Sequence, residues 1–492
     1  GLLSLFFIGR RLGGTTLGLS VCAVHACFYP QVYFSRFPSS EMLAQALFLS
    51  GLCVFLLGLD SPEGIRRPYV GLAGLLWGAL CLCRVDAMPF LWLGLTVVAF
   101  LPARIGIQRE DWAVPMLITV LFASMAVYHQ LVNGIDYVGA FSPGRLTAIV
   151  SAAVAGRRWP SLVVLVVLAA AGLFIYRCEP ARRYSRWMIA IARVFGLAVS
   201  AITLARFLMV LDGSLVTTHV HWIAMYTTPI VLLVLCGGLL FAVLEYFREG
   251  SSPAAAVAFA FFVGPAACYL IDPMVIAQQP WAMRRFVPVI FPLLLLLALY
   301  GWQAGLRRSF RARPALAQAV LTGLAVAIAG RFLGSSISLI GRPAHVRTAA
   351  DVRLLGDAIP EGALVLIPDE DASLHLQLAL EYTRAKDVLL LPLRHDPGGR
   401  FDEVMNGFLD RRLGSGKRVF LVLTGEPDAA GLLVHRYQLD EEFVSTLSFE
   451  QVRFERHDAF PRPPFVAKLR SRVLELRPIR GAAEAPGVRV GR

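Results

Sequence analysis

Residues 286–334 read FVPVIFPLLLLLALYGWQAGLRRSFRARPALAQAVLTGLAVAIAGRFLG, and the order of residue classes in this stretch decides the fold. An uncharged apolar run (286–301) is followed by Arg307, Arg308, Arg311 and Arg313, and then by a second apolar run (316–334) that carries only Arg331. A helix needs roughly 17–25 apolar residues to cross about 30 Å of hydrocarbon. Two such runs around a cluster of arginines describe a pair of membrane spans joined by a basic loop.

The same pattern recurs toward the N-terminus. Apolar runs lie near 14–34, 41–59, 69–83, 87–102, 112–131, 160–176, 188–210, 221–244 and 254–271, which with the first two predicts about eleven spans. Residues 1–8 read as the end of an earlier span, and the opening at Gly1 inside an apolar run predicts an N-terminally incomplete sequence lacking at least one span and its following loop. The chain of 492 residues is 57% hydrophobic and 16% charged, with a mean hydropathy of +0.63. A soluble protein carries about a quarter charged residues.

Charge gives the spans an orientation. Residues 1–344 hold 26 arginines, no lysine and 12 acidic residues, so the net charge of +13 belongs to the apolar part. Its basic residues sit in loops between apolar runs, which predicts no nucleic-acid partner. Alternate loops carry Arg10 and Arg11, Arg66 and Arg67, Arg104 and Arg109, Arg177 with Arg182, Arg183 and Arg186, Arg248, and the 307–313 cluster. Those six loops hold fifteen arginines, whereas the interleaved loops hold seven over more residues. Cytoplasmic loops are the basic ones, so the interleaved loops and the C-terminal region are expected outside. The bias of 44 arginines against 3 lysines suits a GC-rich bacterial genome, and the expected location is the bacterial inner (cytoplasmic) membrane.

Beyond about residue 343 the pattern changes. Helical stretches (348–359, 372–384, 401–413) alternate with short apolar runs (363–368, 388–391, 418–423), and two longer alternating stretches follow near 443–456 and 464–477. Strands alternating with helices predict a parallel, doubly wound sheet, here with two antiparallel edge strands added. The expected organisation is a multi-span domain (1–342), a soluble extracytoplasmic α/β domain (343–480) and a flexible tail (481–492). No Gly-rich phosphate loop or nucleophile elbow follows any of these strands. Asp369, Glu370 and Asp371 follow the first strand; they suit a cation site or, more plainly, a solvated helix N-terminus.

Ionisable residues at the membrane are costly and mark function. Those on the outer face are Arg36, Glu41, Arg84, Asp86, Asp136, Asp212, His219, His221, Asp272, Arg284 and Arg285, with Trp281 suited to an interfacial belt. A carboxylate acts as a general base or holds a divalent cation, and paired arginines clamp phosphate. Each also has a plainer role. Arginines snorkel to headgroups, and Glu41 suits the N-terminus of a helix. His219 and His221 share a side only if that stretch is extended. The eight cysteines read as small apolar residues.

In this order of features the sequence resembles the GT-C glycosyltransferases, nearest the bacterial protein O-mannosyltransferase and lipid A aminoarabinose transferase branch. Tyr29-Pro30 leads through Arg36 to Glu41; a Gly-rich run containing Gly71, Gly74 and Gly78 leads to Arg84-Val85-Asp86; and Gln279-Pro280-Trp281 precedes Arg284-Arg285. The resemblance covers about residues 1–334. It implies a GT-C-like membrane fold and transfer, with inversion, of a sugar from a polyprenyl-phosphate donor to a glycan, lipid or protein acceptor at the outer face. It places an auxiliary acid at Glu41, substrate contacts at Arg36, Arg84, Asp86, Arg284 and Arg285, and the main catalytic Asp in the missing N-terminal loop. A divalent cation (Mg or Mn), with Glu41 as a candidate metal ligand, is the one cofactor to expect. Two other classes stay open, a lipid-linked glycan flippase and a non-catalytic envelope-binding protein.

Overall fold

The computed structural model describes residues 1–36, 40–84, 91, 94, 95, 98, 109–133, 219–246, 252–271, 283, 284, 286–340, 348–368, 376, 380, 386–391, 400–424, 437–451 and 465–478. The chain divides into two compact units, one built on Gly1–Ile340 and the other on Gly341–Arg453 with Pro463–Arg492.

The first unit is helical. Its described elements are α1 (Leu2–Gly13), α2 (Thr15–Cys27), α3 (Tyr29–Ser35), α4 (Ser40–Asp60), α5 (Glu63–Cys83), α6 (Arg109–Asn133), α7 (His219–Thr227), α8 (Pro229–Tyr246), α9 (Pro253–Ile271), α10 (Ile290–Ser309) and α11 (Pro314–Ser336). Among the described residues α4, α8, α10 and α11 are each long and apolar enough to cross a membrane, and α2 with α3 makes a fifth if that bent pair is one span. The chain is thus a multi-pass membrane protein. The runs 160–176 and 188–210, and most of 87–102, lie outside the described residues.

Two expected spans are broken, each for a local reason. The run 14–34 bends by 70° between α2 and α3. Phe28 is extended there and Pro30, in the first turn of α3, has no N–H to continue the ladder. Ser336 on α11 donates its hydroxyl to the Cys27 carbonyl at 2.8 Å, satisfying a group the break leaves over. The run 221–244 breaks at Thr228, whose φ of 69° is rare for a β-branched residue, directly before Pro229.

Among the described residues, three of the arginine-rich loops gather at one end of the unit. Arg11 pairs with Asp60, Arg308 with Glu245 at 3.0 Å, and Arg66 donates to the Leu59 carbonyl at 2.8 Å. Gly14 (φ +90°) turns α1 back into α2, and the Gly13 carbonyl at that turn accepts from Gln303 at 2.8 Å and Arg307 at 3.0 Å. On α8 and α10 the backbones touch. A Cβ on Gly301 would lie 1.9 Å from the Gly238 carbonyl oxygen, and one on Gly238 would lie 2.2 Å from that of Ala298. Small residues permit such approach, and close packing counts where lipid supplies no hydrophobic drive for helix association; Trp302 on α10 also donates to the Val234 carbonyl of α8 at 2.8 Å.

The second unit holds α12 (Thr348–Ala358), β1 (Leu364–Pro368), β2 (Asp387–Leu391), α13 (Arg400–Gly414), β3 (Val419–Thr424), β4 (Tyr437–Gln451) and β5 (Phe465–Pro478). The sheet order is β2-β1-β3-β5-β4; β1 runs parallel to β2 and β3, and β5 antiparallel to β3 and β4. Alternate residues face opposite sides. Val365, Ile367, Phe420 and Val422 pack with Val352 and Leu355 of α12, whereas Leu366, Val419 and Leu421 pack with Leu409 of α13. Burial on both faces explains the continuous apolar runs of β1 and β3. One expectation needs correction: β4 is an edge strand, but β5 is not. β5 lies between β3 and β4 because its alternate residues, Val473 on one face and Leu474 and Leu476 on the other, are buried too.

An ionic cluster fastens this antiparallel corner. Glu475 accepts from Arg418 and, at 2.6 Å, from Arg477; Arg477 also reaches Asp440 at 2.7 Å. Arg418 lies over the Phe420 ring at 4.8 Å. The hydrogen bond from Arg418 holds the Glu475 carboxyl below its ordinary value of 4.5. A depressed folded-state pKa stabilises above the unfolded value and is lost as pH falls through the folded one. Protection of β5 amides against hydrogen exchange, corrected for intrinsic rates, should therefore fall below about pH 4.5, and Glu475→Gln should remove that part of the pH dependence.

The close helix contact gives a second expectation. Gly301→Val should abolish the monodisperse detergent-solubilised protein in size-exclusion chromatography. Gly305→Ala, whose Cβ meets Phe241 at an ordinary 3.4 Å, should leave it intact.

Candidate functional site

At the other end of the helical unit the ends of three helices meet a turn that precedes α10. Ser40 opens α4 and Glu41 sits in its first turn, where the dipole favours an acid. The α5 helix stops at Cys83, and Arg84 turns extended (φ −146°, ψ 110°) with its N–H still on the Leu80 carbonyl at 2.8 Å. That turn-out carries the guanidinium across to α4. Arg84 Nη1 donates to Glu41 Oε1 at 2.8 Å, and both side chains are nearly buried, 11% and 7% exposed. Ser40 Oγ is 3.4 Å from Glu41 Oε2, and Cys83 Sγ faces the Ser40 carbonyl at 3.7 Å.

One helical turn further along α4, Gln45 is 2% exposed. Its Nε2 uses both hydrogens, donating to Gln31 Oε1 on α3 at 2.9 Å and to the Val287 carbonyl at 2.7 Å. The Val287 bond fixes the turn that leads into α10, within which Phe286 N–H bonds the Met283 carbonyl at 3.0 Å and Met283 and Phe286 are fully buried. Arg284 sits in this turn, half-buried. On α3, buried Tyr29 stacks on Tyr33 at 6.4 Å and meets Tyr226 of α7 at 5.7 Å. Arg36 ends α3 half-buried, with its N–H on the Tyr33 carbonyl at 3.3 Å.

The structure thus joins Glu41 and Arg84 directly. Arg36 and Arg284 lie on the two segments that Gln45 ties to α4. Asp86 and Arg285 lie outside the described residues, as do Asp136, Asp212, Asp272, Trp281 and the 369–371 acids. Arg84 does not snorkel; its cation is spent on Glu41. The extended geometry needed to set His219 and His221 on one side is not found, because both begin the helix α7, where positions two apart lie about 200° around the axis. Among the described residues no three His, Cys, Asp or Glu groups gather as for a metal ion. Sequence reading by charge passed over Gln31 and Gln45. The available signal was an amide inside an otherwise apolar helix, which must find a partner.

The second unit has a cleft of about 460 Å3 at the N-terminal ends of β1 and β2, lined by Leu364, Lys386, Asp387, Phe408 and Arg412 among others. Its charged groups are engaged within the unit: Lys386 Nζ with the Ile359 carbonyl at 2.7 Å and Arg412 with Asp387 at 3.1 Å.

No protein-family model matches the chain, and no curated protein matches it. Among solved structures it is similar to ArnT from Cupriavidus metallidurans in the apo state, at 12% identity over 96% of this chain and 81% of that one, with a TM-score of 0.49. It is also similar to the same protein bound to undecaprenyl phosphate, at 13% identity, the same coverage and a TM-score of 0.37. These neighbours are of the aminoarabinose transferase type that the sequence motifs resemble.

Charge pairing at the head of α4 has a measurable consequence. Removing one partner of a buried pair costs about 3–5 kcal/mol because the other charge is stranded, whereas replacing both is close to neutral. Arg84→Met should lower thermal stability in detergent markedly, and Glu41→Gln combined with Arg84→Met should recover most of the loss.

Proposed function

We propose that the protein is an integral membrane glycosyltransferase that moves a sugar from a polyprenyl-phosphate donor to an acceptor on the extracytoplasmic side, with inversion at the anomeric carbon. The observation that carries this reading is the buried Glu41–Arg84 pair at 2.8 Å, set among helix ends that also carry Arg36 and Arg284. Ion pairs in apolar surroundings cost more to desolvate than they return. A chain that keeps one among arginines on neighbouring segments has a use for fixed charge there.

In this reading the acceptor hydroxyl attacks the sugar C1, the bond from C1 to the phosphate oxygen breaks, and lipid phosphate departs. The departing group gains negative charge, and preorganised cations that meet such charge supply a large part of catalysis. Arg284 and Arg36, with Arg285 and Asp86, are assigned to the phosphate and the sugar. The Glu41 carboxylate, oriented by Arg84, is assigned to acceptor positioning or to a divalent cation. The general base that takes the hydroxyl proton is not assigned to any of these residues.

The test is transfer in proteoliposomes from a radiolabelled polyprenyl-phosphate sugar. Arg284→Ala should abolish transfer while membrane insertion and monodispersity stay unchanged; Glu41→Gln should abolish it too, and Glu41→Gln combined with Arg84→Met, in which no charge is stranded, should stay inactive although its stability recovers. Full activity in both single variants would sink the site assignment. Uptake of the lipid-linked sugar without its consumption would replace the transferase by a transporter.

A further inference from the structure

The proposed site assigns no task to Gln45, although this amide makes the contact that joins its two halves. It lies four residues beyond Glu41, one turn along α4, so that both face the same side of the helix. It is 2% exposed and spends its two N–H groups on Gln31 and on the carbonyl of Val287, which is 242 residues away in the chain. Val287 lies three residues after Arg284, in a turn otherwise fixed by buried Met283 and Phe286 and by the Phe286 N–H to Met283 bond at 3.0 Å. Apolar packing of that kind is tolerant of small shifts along the helix axis; a directed N–H to carbonyl bond at 2.7 Å is not.

We infer that Gln45 is a positioning residue: its amide holds the backbone of the Arg284 turn at a fixed height against the helix that carries Glu41, so that a lipid-linked phosphate meets Arg284 and the Glu41–Arg84 pair together. This deepens the transferase reading and rests on it. The amide touches neither phosphate nor sugar. Its effect is on the placement of the turn, so it governs how well the phosphate is held and leaves recognition of the prenyl chain alone.

A matched control exists in the same unit. Gln303, at the arginine-rich end, is also a buried glutamine that donates to a backbone carbonyl of another helical segment, that of Gly13 at 2.8 Å. Gln45→Leu and Gln303→Leu therefore each delete a buried amide's bond to a distant carbonyl, at opposite ends of the bundle, Gln45→Leu losing in addition the bond to Gln31.

The measurement is binding of undecaprenyl phosphate and of undecaprenol to the full chain in nanodiscs, followed by native mass spectrometry, which needs neither sugar nor acceptor. The unmodified chain is expected to prefer the phosphate. Gln45→Leu should cut that preference about tenfold, the size of the lost bond to the Val287 turn, with undecaprenol binding unchanged. Gln303→Leu should keep the preference. Gln45→Asn, an amide one methylene too short to reach both acceptors, should fall between and carries the test if Gln45→Leu does not insert. A full phosphate preference in a well-folded Gln45 variant would overturn the positioning role, and so would an equal loss in Gln303→Leu. An unmodified chain that binds phosphate and alcohol alike would instead overturn the transferase reading beneath it.

Discussion

Inside an apolar bundle there is no water to complete a hydrogen bond, so every polar group that a helix leaves over must be met from within the protein. This constraint organises the helical unit. At three of its joints a side chain from another helix arrives at the carbonyl in question: Ser336 at Cys27, Gln303 and Arg307 at Gly13, Gln45 at Val287. The breaks are therefore tertiary joints. Each ties together segments far apart in sequence, and the joint at Val287 brings the Arg284 turn against the helix headed by Glu41.

The same constraint separates the two ends of the unit. At one end, Arg308 meets Glu245 half-exposed and the largely exposed Asp60 receives Arg11, where water and salt reach the pairs and weaken them. At the other, Arg84 and Glu41 are nearly buried, and neither tolerates loss of its partner. At the second end charge is held in place at a cost, which is the physical ground for reading function there.

Much of the helical unit was legible beforehand. Apolar runs located α4, α5, α6, α9, α10 and α11, and among the described residues the basic loops at 10–14, 60–67 and 307–313 meet one another, apart from Arg84 and Glu41. In the second unit the alternation of apolar runs with polar helical stretches yielded a parallel three-strand core with α12 and α13 on opposite faces. Less legible was the neighbour of each strand. β5 resembled an edge strand in sequence, and its place beside β3 follows from pairing across six residues of each strand, Val419 with Leu476 through Thr424 with Ser471. Thr228 could not be foreseen as a break from residue type, since threonine rarely takes a positive φ.

The sequence by itself determined that this chain crosses a membrane several times and which of its loops are basic. These follow from composition and period, because desolvation acts on each residue wherever its neighbours are. Only the tertiary structure decided that Arg84 reaches Glu41 and does not turn to the headgroups, and that Gln45 reaches a carbonyl 242 residues away. Such partners depend on where helices end and how closely they pack. That is settled jointly by Gly238 against Gly301, by Pro30 at its bend and by buried aromatic rings, and no single stretch of the chain contains it.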